Sequence, residues 1–497
     1  LRFYGSAVGT IVNSSYINPA IYYNTLLVNP TAPIKDAITG DYTFFQDANN
    51  PVQELNEKTT DTKWDRFSLN GKITIEPIDN LNISTVGSIE RFQNIEGVFA
   101  TYDYFNGDTR NGEVWRNSKF DELKTFELLT DYSFTFDQKH KTTFLLGYSY
   151  QEHNWEGFNL YNYNFPTELL SYNKPGLGLA MKDGNGSMDG YKAMSKLISG
   201  FVRINYSYND KYIASFSLRR EGSTKFGENN KWGTFPSVSV GWTISKEPFM
   251  KELKWLDNLK TRIGYGVTGA EPNSPYLSIN RYSYSSPVLS EGEWVWSVGP
   301  SINNNPDLRW ETKKELNLGI DYSFIKGRIS GSVDFYNRRT DDLIYTYQVP
   351  VPPNLVSDIY ANVGSITNSG LEVLISTIPV QQKNFVWNIS ANFSLNKNNL
   401  TKLSNEMYQR DFLELGATGA PIQKSTHIVR EGEPIGNFYG WKSASITADG
   451  SKWLDVNGNP ITMENSKREI LGNGIPAAFF GLSSSFRYKG LDASVSL

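Results

Sequence analysis

The sequence lacks three features that large classes of protein require. It contains no cysteine, which excludes disulfides, thiolate metal sites and a cysteine nucleophile. Its only histidines are His140, His153 and His427, and none has a helical or hairpin spacing to another, which argues against a zinc site or a catalytic triad. No segment approaches the roughly 20 consecutive apolar residues of a membrane helix, so any membrane span must consist of strands.

An excess of charge of one sign is also missing. The chain carries 48 lysines and arginines against 52 aspartates and glutamates, for a formal net charge of -4. Nucleic-acid binding requires a basic stripe or patch, so no nucleic-acid partner is expected. The carboxylate pair Asp341 and Asp342 follows a strand end and is explained by a solvated loop. We therefore predict no catalytic acid–base pair, no metal site and no cofactor.

Aromatic residues, in contrast, are abundant. Tyrosine, phenylalanine and tryptophan number 29, 28 and 12 among 497 residues, yet the mean hydropathy is -0.44. A transmembrane strand exposes only every second residue to lipid, so a membrane barrel keeps a low mean hydropathy while aromatic residues collect at its two interfaces. The composition therefore favours a transmembrane β-barrel.

Alternation of apolar and polar residues recurs along the chain and predicts strands, because successive side chains of a strand point to opposite faces. The pattern is visible in residues 201–208, 315–324 and 388–396. In the first of these, the apolar and polar sets are Val202, Ile204, Tyr206 and Tyr208 against Arg203, Asn205 and Ser207. We expect the apolar set to face lipid and the polar set to face the lumen.

The connections between these runs alternate between short turns and long polar segments. The predicted turns lie at residues 77–80, 137–140, 209–210, 325–327, 380–383 and 489–490. Outer-membrane barrels have short periplasmic turns and long extracellular loops, so the long segments are predicted to face outward. Residues 245–258 are the exception, because they are long enough for a short helix on the periplasmic side. The predicted outer loops lie near residues 92–122, 155–195, 221–233, 269–313, 340–368 and 397–478.

These patterns predict an all-β fold, a transmembrane antiparallel β-barrel with about fourteen strands within residues 65–497. Residues 1–64 contain several Asn-Pro and Ala-Pro pairs and are predicted to be mostly an extracellular loop region. The chain begins at Leu1 without an export signal and stops at Leu497 inside an alternating run. We expect it to be a fragment of a larger barrel, with strands missing at both ends.

Several runs of residues resemble the SusC/RagA-type TonB-linked (TonB-dependent) outer-membrane transporters. Each run alone is weakly specific, but together they follow the family's order and spacing along nearly the whole chain. The runs are 219–227 (RREGSTKFG), 230–237 (NKWGTFPS), 241–242 (GW), 262–269 (RIGYGVTG), 305–312 (NPDLRWET), 331–342 (GSVDFYNRRTDD), 362–372 (NVGSITNSGLE) and 431–440 (EGEPIGNFYG).

The resemblance implies a barrel of about 22 strands with a plugged lumen, of which this chain would supply the middle. It implies TonB-dependent import of a nutrient, an oligosaccharide or a peptide, across the outer membrane of a Gram-negative bacterium. A SusD-like surface lipoprotein and the TonB system are the implied partners. The plug and its TonB-contacting segment are not in this chain, so neither role is assigned to any residue, and the substrate is not specified by the sequence.

Ten residues of the resembling runs are interpreted as structural, shaping an extracellular hairpin and an interfacial anchor. Trp242 alternates with polar neighbours and is predicted to face lipid near an interface. The ten are Arg220, Gly222, Phe226, Gly227, Trp232, Gly233, Phe235, Pro236, Gly241 and Trp242.

Three tryptophans in predicted loops are candidates for binding. Trp294 and Trp296 lie in a predicted outer loop, where exposed rings can stack on a sugar or anchor a partner, and Trp155 lies at the edge of another loop. We expect partner contact or loop packing for them more than substrate stacking. The alternating oxygens of residues 455–459 resemble a calcium loop, but Pro460 and the missing twelfth-position glutamate favour a simple turn.

Two alternative functions remain open at this point. One is a passive porin or surface adhesin, which would have the same alternating strands but no plug or energy coupling. The other is a secreted all-β hydrolase, whose apolar faces would form a core instead of meeting lipid. Such a protein would not need short and long connections in regular alternation, so the import function is preferred.

Overall fold

The computed structural model describes residues 1–45, 49–104, 110–405, 407–419, 423–462 and 467–497, and the side chain of Ser285 is not described. The chain divides into two compact units. The first comprises Leu1–Leu129 and Tyr148–Ile198, and the second comprises Thr130–Gly147 and Ser199–Leu497. No helix within the described ranges is both long and apolar enough to cross a membrane.

The first unit consists of long strands, and three of these strands contribute residues to both units. Its sheet follows chain order from β1 to β6. The elements are β1 (Arg2–Ser15), α1 (Ala20–Leu27), α2 (Pro51–Glu57), β2 (Lys58–Ile78), β3 (Leu81–Ala100), β4 (Glu113–Phe136), β5 (His140–Tyr163), short 3-10 helices at Ser171–Asn173 and Pro175–Leu177, and β6 (Ser187–Tyr208).

The second unit continues with strands that mostly neighbour one another in chain order. Its main sheet runs through β7, β8, β9, β12, β13, β14, β15, β23 and β24. The bounds are β7 (Tyr212–Ser223), β8 (Trp232–Thr243), 3-10 helices at Ile244–Lys246 and Pro248–Met250, β9 (Leu256–Ala270), β10 (Arg281–Ser290), β11 (Glu293–Ile302), β12 (Glu311–Phe324), β13 (Ile329–Gln348), β14 (Asp358–Gln382), β15 (Phe385–Lys402), β16 (Phe412–Ala417), β17 (Ser425–Arg430), β18 (Asn437–Trp441), β19 (Ser445–Ile446), β20 (Trp453–Leu454), β21 (Pro460–Ile461), β22 (Arg468–Asn473), β23 (Ala478–Tyr488) and β24 (Leu491–Ser496).

The prediction that residues 1–64 are mostly loop was wrong for two segments. Strand β1 pairs with β2 along its whole length, from Arg2 opposite Thr74 to Ser15 opposite Asp61, and β2 already begins at Lys58. The strand was missed because Gly5 and Gly9 and several small polar residues weaken the strand signal of β1.

The long predicted loops are shorter in the structure, because strand pairing continues into them. Strand β3 extends to Ala100 and β4 begins at Glu113, whereas a loop was predicted over 92–122. The predicted loop 269–313 contains the β10 and β11 hairpin, and the predicted loop 397–478 contains β16 to β22. In the β10 and β11 hairpin both faces are exposed, whereas at the end of β3 Val98, Phe99 and Ala100 are all buried. In both cases apolar and polar residues do not alternate regularly although the strand persists. Residues 105–109, 406, 420–422 and 463–466 of these loops lie outside the described residues.

The short turns agree with the prediction, and their backbone explains why they are tight. Asn209 and Asp210, which join β6 to β7, both have φ of +52°, as required at the two central positions of a type I′ hairpin turn. The segment after β8 forms two short 3-10 helices within 244–250, as the exceptional length of that connection suggested.

The register of the second unit separates two faces of the sheet. One apolar row crosses β8, β9, β12, β13, β14 and β15, and each residue lies opposite the next: Val240, Ile263, Leu318, Phe335, Leu371 and Leu395. Many side chains of this face are solvent-accessible in the structure, including Val240 at 50% and Ile263 at 49%. An exposed apolar row of this length is what a lipid-facing surface requires.

Candidate functional site

The polar face of the second unit contains an ion network in the middle of the sheet. Arg262 on β9 donates from Nε to Asp321 Oδ2 at 2.8 Å, and its Nη2 lies 3.0 Å from Asp334 Oδ1. The guanidinium occupies the space above Gly319, where a Cβ would lie 2.6 Å from its Cζ. Charged groups of both signs are held in fixed positions on one face of the sheet. Such a face suits a barrel wall that contacts a polar solute or another polar domain.

A second pair extends the network toward the loop ends of the strands. Arg338 on β13 donates from Nε to Glu315 Oε2 at 2.8 Å. On the same face Tyr336 extends over Gly370 and donates to Asn396 Oδ1 at 3.2 Å, and a Cβ on Gly370 would lie 2.4 Å from the tyrosine hydroxyl. The polar face is therefore a network of side chains that are held by hydrogen bonds and ion pairs to residues on nearby strands.

In the first unit, Trp155 lies on the polar side of the sheet. Its ring centroid is 4.5 Å from that of His153, whose Nε2 lies 2.8 Å from Asp121 Oδ1. The indole is partly buried, so one face contacts the imidazole. The structure thus places this candidate binding residue beside a polar pair and not at the tip of a loop.

Trp294 and Trp296 lie on β11, in a hairpin where an irregular loop was expected. Cross-strand pairs place them on one face with three residues of similar character, and we call this set the aromatic hairpin face: Tyr284, Leu289, Trp294, Trp296 and Val298. Trp294 and Trp296 are 72% and 69% exposed, so the rings are available for contact. The structure thus brings Trp294 and Trp296 together on one face, whereas Trp155 belongs to the first unit.

Four of the resembling runs converge on one aromatic cluster, which we call the motif cluster. The Phe226 ring lies 4.5 Å from the Trp310 ring, and Phe235 meets the same indole edge-on at 5.4 Å. Phe226 is 1% exposed. Gly269 completes the cluster, because a Cβ there would lie 2.1 Å from Phe235 Cζ. Trp310 and Gly269 were not among the selected residues, and only cross-strand register brings them next to Phe235.

Backbone hydrogen bonds join the loop of the first run to the run at 305–312. The Gly227 N–H donates to the Leu308 carbonyl at 2.9 Å, and the Trp310 indole N–H donates to the Lys231 carbonyl at 3.1 Å. A Cβ at Gly227 would lie 2.1 Å from the Pro306 carbonyl oxygen, so only glycine allows this approach.

A mostly buried ion pair closes the same loop from its other side. Lys225 Nζ lies 2.8 Å from Glu271 Oε1, and its side chain is only 10% exposed. Ser223 Oγ donates to the second oxygen of Glu271 at 2.7 Å. The loop between β7 and β8 is therefore held by packing, backbone hydrogen bonds and charge together.

The remaining selected residues line the same hairpin. The Arg220 guanidinium lies 5.5 Å from the Trp232 ring, and Trp232 in turn covers Gly222, whose Cβ would lie 3.0 Å from the indole. A Cβ at Gly233 would lie 2.4 Å from Phe235 Cζ. Pro236 stands where the β8 to β9 ladder ends, since that pairing begins at Ser237, and this position suits a residue without an N–H. The structural role of these residues stays a prediction that the contacts support.

At the opposite end of β8, Trp242 belongs to a small aromatic belt. Its ring stacks on Tyr212 with centroids 6.5 Å apart, and Gly241 beside it lies opposite Arg262. Glu247, in the connection after β8, accepts hydrogen bonds from the Tyr212 hydroxyl at 2.7 Å and the Trp242 indole at 2.9 Å. These donors, and then the ammonium of Lys211, lower the pKa of Glu247 to about 2. Aromatic rings with one polar edge are typical of a membrane interface.

Residues 455–459 form a hydrogen-bonded turn. One carboxylate oxygen of Asp455 accepts from the backbone N–H groups of Asn457 at 2.9 Å and Asn459 at 2.8 Å, and Gly458 has φ of +81°. This is the geometry of an Asx turn. Within the described ranges, no three carboxylate or histidine groups are arranged to hold a metal ion.

The sequence is similar to proteins of a known family. Residues 9–483 match the family described as TonB dependent receptor-like, beta-barrel. TonB-dependent receptor P3 of Formosa agariphila is 31% identical over 470 residues, which cover 90% of this chain and 46% of the relative. TonB-dependent receptor SusC of Bacteroides thetaiotaomicron is 32% identical over 318 residues, which cover 62% of this chain and 31% of SusC. The chain thus spans at most about half of these relatives.

Solved structures agree on the fold. The structure described as the RagAB peptide transporter aligns with a TM-score of 0.77 at 23% identity, over 92% of this chain and 50% of the other. The same importer in its open-open state aligns with a TM-score of 0.78. At this identity the alignment supports the fold alone.

Proposed function

This chain belongs to the TonB dependent receptor-like β-barrel family, as a SusC/RagA-type outer-membrane protein, and we propose that it forms part of the wall of an energy-coupled importer. The resemblance found in the sequence is thereby confirmed at the level of the family. The proposed cargo is an oligosaccharide or a peptide. A solved structural neighbour is described as a peptide transporter, which makes a peptide the first substrate class to test.

The observation that carries this proposal is the two-faced sheet of the second unit. The row through Val240, Ile263 and Leu318 supplies an apolar surface, and the opposite face carries Arg262 and its carboxylate partners. A soluble hydrolase would bury the apolar row in a core, and those side chains are about half exposed. The arrangement instead suits a wall with lipid on one side and a polar solute or plug on the other.

Import can be distinguished from passive diffusion by its dependence on energy coupling. Cells producing the complete protein would be given a fluorescent oligopeptide mixture and, separately, a fluorescent oligosaccharide. We expect uptake of one probe to fall to background when either the transporter gene or TonB is deleted. Uptake that persists without TonB would indicate a passive pore, and uptake of both probes unaffected by loss of the transporter would exclude import of either class.

We further propose that a SusD-like lipoprotein docks on the aromatic hairpin face. Exposed tryptophans at the centre of an apolar patch are the residue type that dominates protein interfaces. The proposal is supported by the exposure of Trp294 and Trp296, which no described neighbour covers.

The docking proposal predicts a face-specific effect in the complete protein. The double variant Trp294→Ala, Trp296→Ala should sharply reduce co-purification of a SusD-like lipoprotein that is co-expressed with the transporter. The matched control is Val295→Ala, which alters the opposite face of the same strand. Equal loss in the control, or no loss in the double variant, would contradict docking at this face.

A further inference from the structure

An apolar groove crosses the outer face of the first unit, on the side that carries Phe67 and Leu69. Its floor is a row of glycines in register on three neighbouring strands, Gly5 opposite Gly71 and Gly71 opposite Gly87. The cavity has a volume of about 780 Å³ and is lined mostly by apolar side chains and backbone: Phe3, Leu69, Ile73, Ile89, Phe126 and Tyr150 are among them. This volume lies within the range of ligand pockets in proteins.

The groove is open space and not a site of close packing. A Cβ built on Gly71 or on Gly87 would meet no atom within 4 Å, and on Gly5 it would meet only a backbone oxygen at 3.9 Å. The glycines therefore make the groove deeper, and no other part of the described chain fills it.

Three cations on this face are linked through shared carboxylates, and we call them the basic row: Arg91 on β3, Lys124 on β4 and Lys196 on β6. Lys124 itself lines the groove. The side chains of the basic row are 54%, 43% and 41% exposed. Their positive heads are thus presented to the surroundings at the edge of an apolar surface.

Two carboxylates hold the basic row from beneath. Glu122 lies 2.5 Å from Arg91 and 2.7 Å from Lys124, and Glu152 lies 3.3 Å from Lys196. The Glu122 and Glu152 side chains are only 8% and 21% exposed. The more exposed partner of each pair is the cation, so the outward potential of the group is positive.

The basic row also lies at the expected boundary of the membrane. Along β3 the face changes from Gly87 and Ile89 to Arg91, and along β4 it changes from Phe126 to Lys124. Strand β3 begins directly after a short turn, and Arg91 lies about ten residues beyond that start. This is about the length of a strand that spans a bilayer. The cations therefore stand at the loop-side edge of the apolar band, at the level of lipid headgroups.

We propose that this groove and the basic row form a binding site for one outer-leaflet membrane lipid with an anionic phosphate headgroup. The phosphate contacts Lys124 and its neighbours in the basic row, and an acyl chain lies in the glycine-floored groove. Charge complementarity selects the headgroup, and the apolar lining selects the chain. A free phosphate ion would lack the contact of an acyl chain with the groove. A zwitterionic lipid would gain less from the contact of its headgroup with the basic row.

The test uses the complete protein, purified in mild detergent and examined by native mass spectrometry. The probes are phosphatidic acid and phosphatidylcholine with identical acyl chains, and inorganic phosphate as competitor. We expect one phosphatidic acid to be retained preferentially, and inorganic phosphate not to displace it. Lys124→Gln and Lys196→Gln should each weaken its retention by about fivefold, as expected for one basic residue at a membrane surface.

Two further variants separate the site from general effects. A Cβ at position 71 meets no atom within 4 Å, so Gly71→Leu should fill the groove in a folded protein and abolish retention of both lipids. Lys192→Gln removes a cation on the same strand as Lys196, paired to Glu156 and 82% exposed, and should leave retention unchanged. Equal retention of the two lipids, an equal loss in Lys192→Gln, or no effect of Gly71→Leu would overturn the proposal. So would a change of oligomeric mass in Gly71→Leu without a change in bound lipid, since a second protein copy would then be the occupant.

Discussion

Glycines act in opposite ways in the motif cluster and in the groove. Around Phe226 and Trp310, glycine allows backbone and rings to approach so closely that any side chain would collide with them. In the groove, the glycines at 71 and 87 face open space, and a Cβ at either position would meet no atom within 4 Å. The same residue type therefore marks a tightly packed loop core in one region and an unoccupied surface in the other. Sequence cannot distinguish these cases, because the difference lies in which atoms of neighbouring segments stand close to the glycine.

The first requirement of this comparison is that the motif cluster stabilises the loop at 221–233 as a packed core. Phe226→Ala in the complete protein should lower the free energy of local opening of the 221–233 loop by about 3 to 5 kcal/mol, the usual cost of removing a buried phenylalanine. Hydrogen exchange of that loop is the measurement. Trp296→Ala, at an exposed ring, should change exchange there by little. Unchanged protection in Phe226→Ala would mean that the cluster does not hold the loop.

The comparison depends next on the apolar face meeting lipid. Ile204 and Asn205 are adjacent on β6 and point to opposite faces. Ile204→Arg should lower folding stability in lipid vesicles by about 2 to 4 kcal/mol, because a charge at a lipid-facing position must reach water. Asn205→Arg should leave stability nearly unchanged. A larger loss at Asn205 than at Ile204 would reverse the assignment of the two faces.

A paired glycine substitution addresses the contrast directly. Gly227→Ala places a Cβ against the Pro306 carbonyl and should destabilise the loop by about 1 to 3 kcal/mol through overpacking. Gly71→Ala should instead be neutral or stabilise by about 0.5 kcal/mol, because alanine loses less backbone entropy than glycine. Hydrogen exchange of both segments in both variants provides the test, and similar losses at the two sites would remove the distinction.

The smallest expected effect concerns the turn end of β8. The pKa of Glu247 is lowered to about 2 from an ordinary value of 4.5, so its hydrogen bonds to Tyr212 and Trp242 stabilise the folded state fully above pH 4.5. That contribution should be lost progressively as the pH falls toward 2. Acid unfolding of Glu247→Gln should therefore be less steep over this window than acid unfolding of the natural protein. Identical acid profiles would show that the carboxylate does not contribute.

Much of the fold was predictable because strand alternation and turn chemistry are local. The turn at Asn209 and Asp210 and the alternating strand before it were both expected from adjacent residues. Strand β1 was not, because its pairing with β2 compensates for glycines that weaken the local signal. The loop-side extensions of β3 and β13 were missed for another reason, because loop packing buries them. Val98, Phe99 and Ala100 are buried in succession, and so is Tyr347 on β13, so apolar and polar residues do not alternate there.

The candidate sites were less predictable because they depend on register. Arg262 and Asp334 are 72 positions apart, and only the pairing of β9, β12 and β13 places them together. The order of the resembling runs gave the family, but not the fact that Phe226, Phe235 and Trp310 meet. The exposed rings of Trp294 and Trp296 were expected from their place in a predicted outer loop, whereas the hairpin that presents them was not.

The length of the strands has a consequence for the ionic environment of the loops. Strand β14 comprises 25 residues, which at about 3.4 Å per residue and a tilt near 45° rise roughly 60 Å along the membrane normal. A hydrocarbon layer of about 30 Å leaves roughly half of that length beyond it. Screening in physiological salt acts over about 8 Å, so the far strand ends lie several screening lengths from the charged bilayer surface. Ligands captured there are therefore selected by the protein's own charges and not by the surface potential of the lipid.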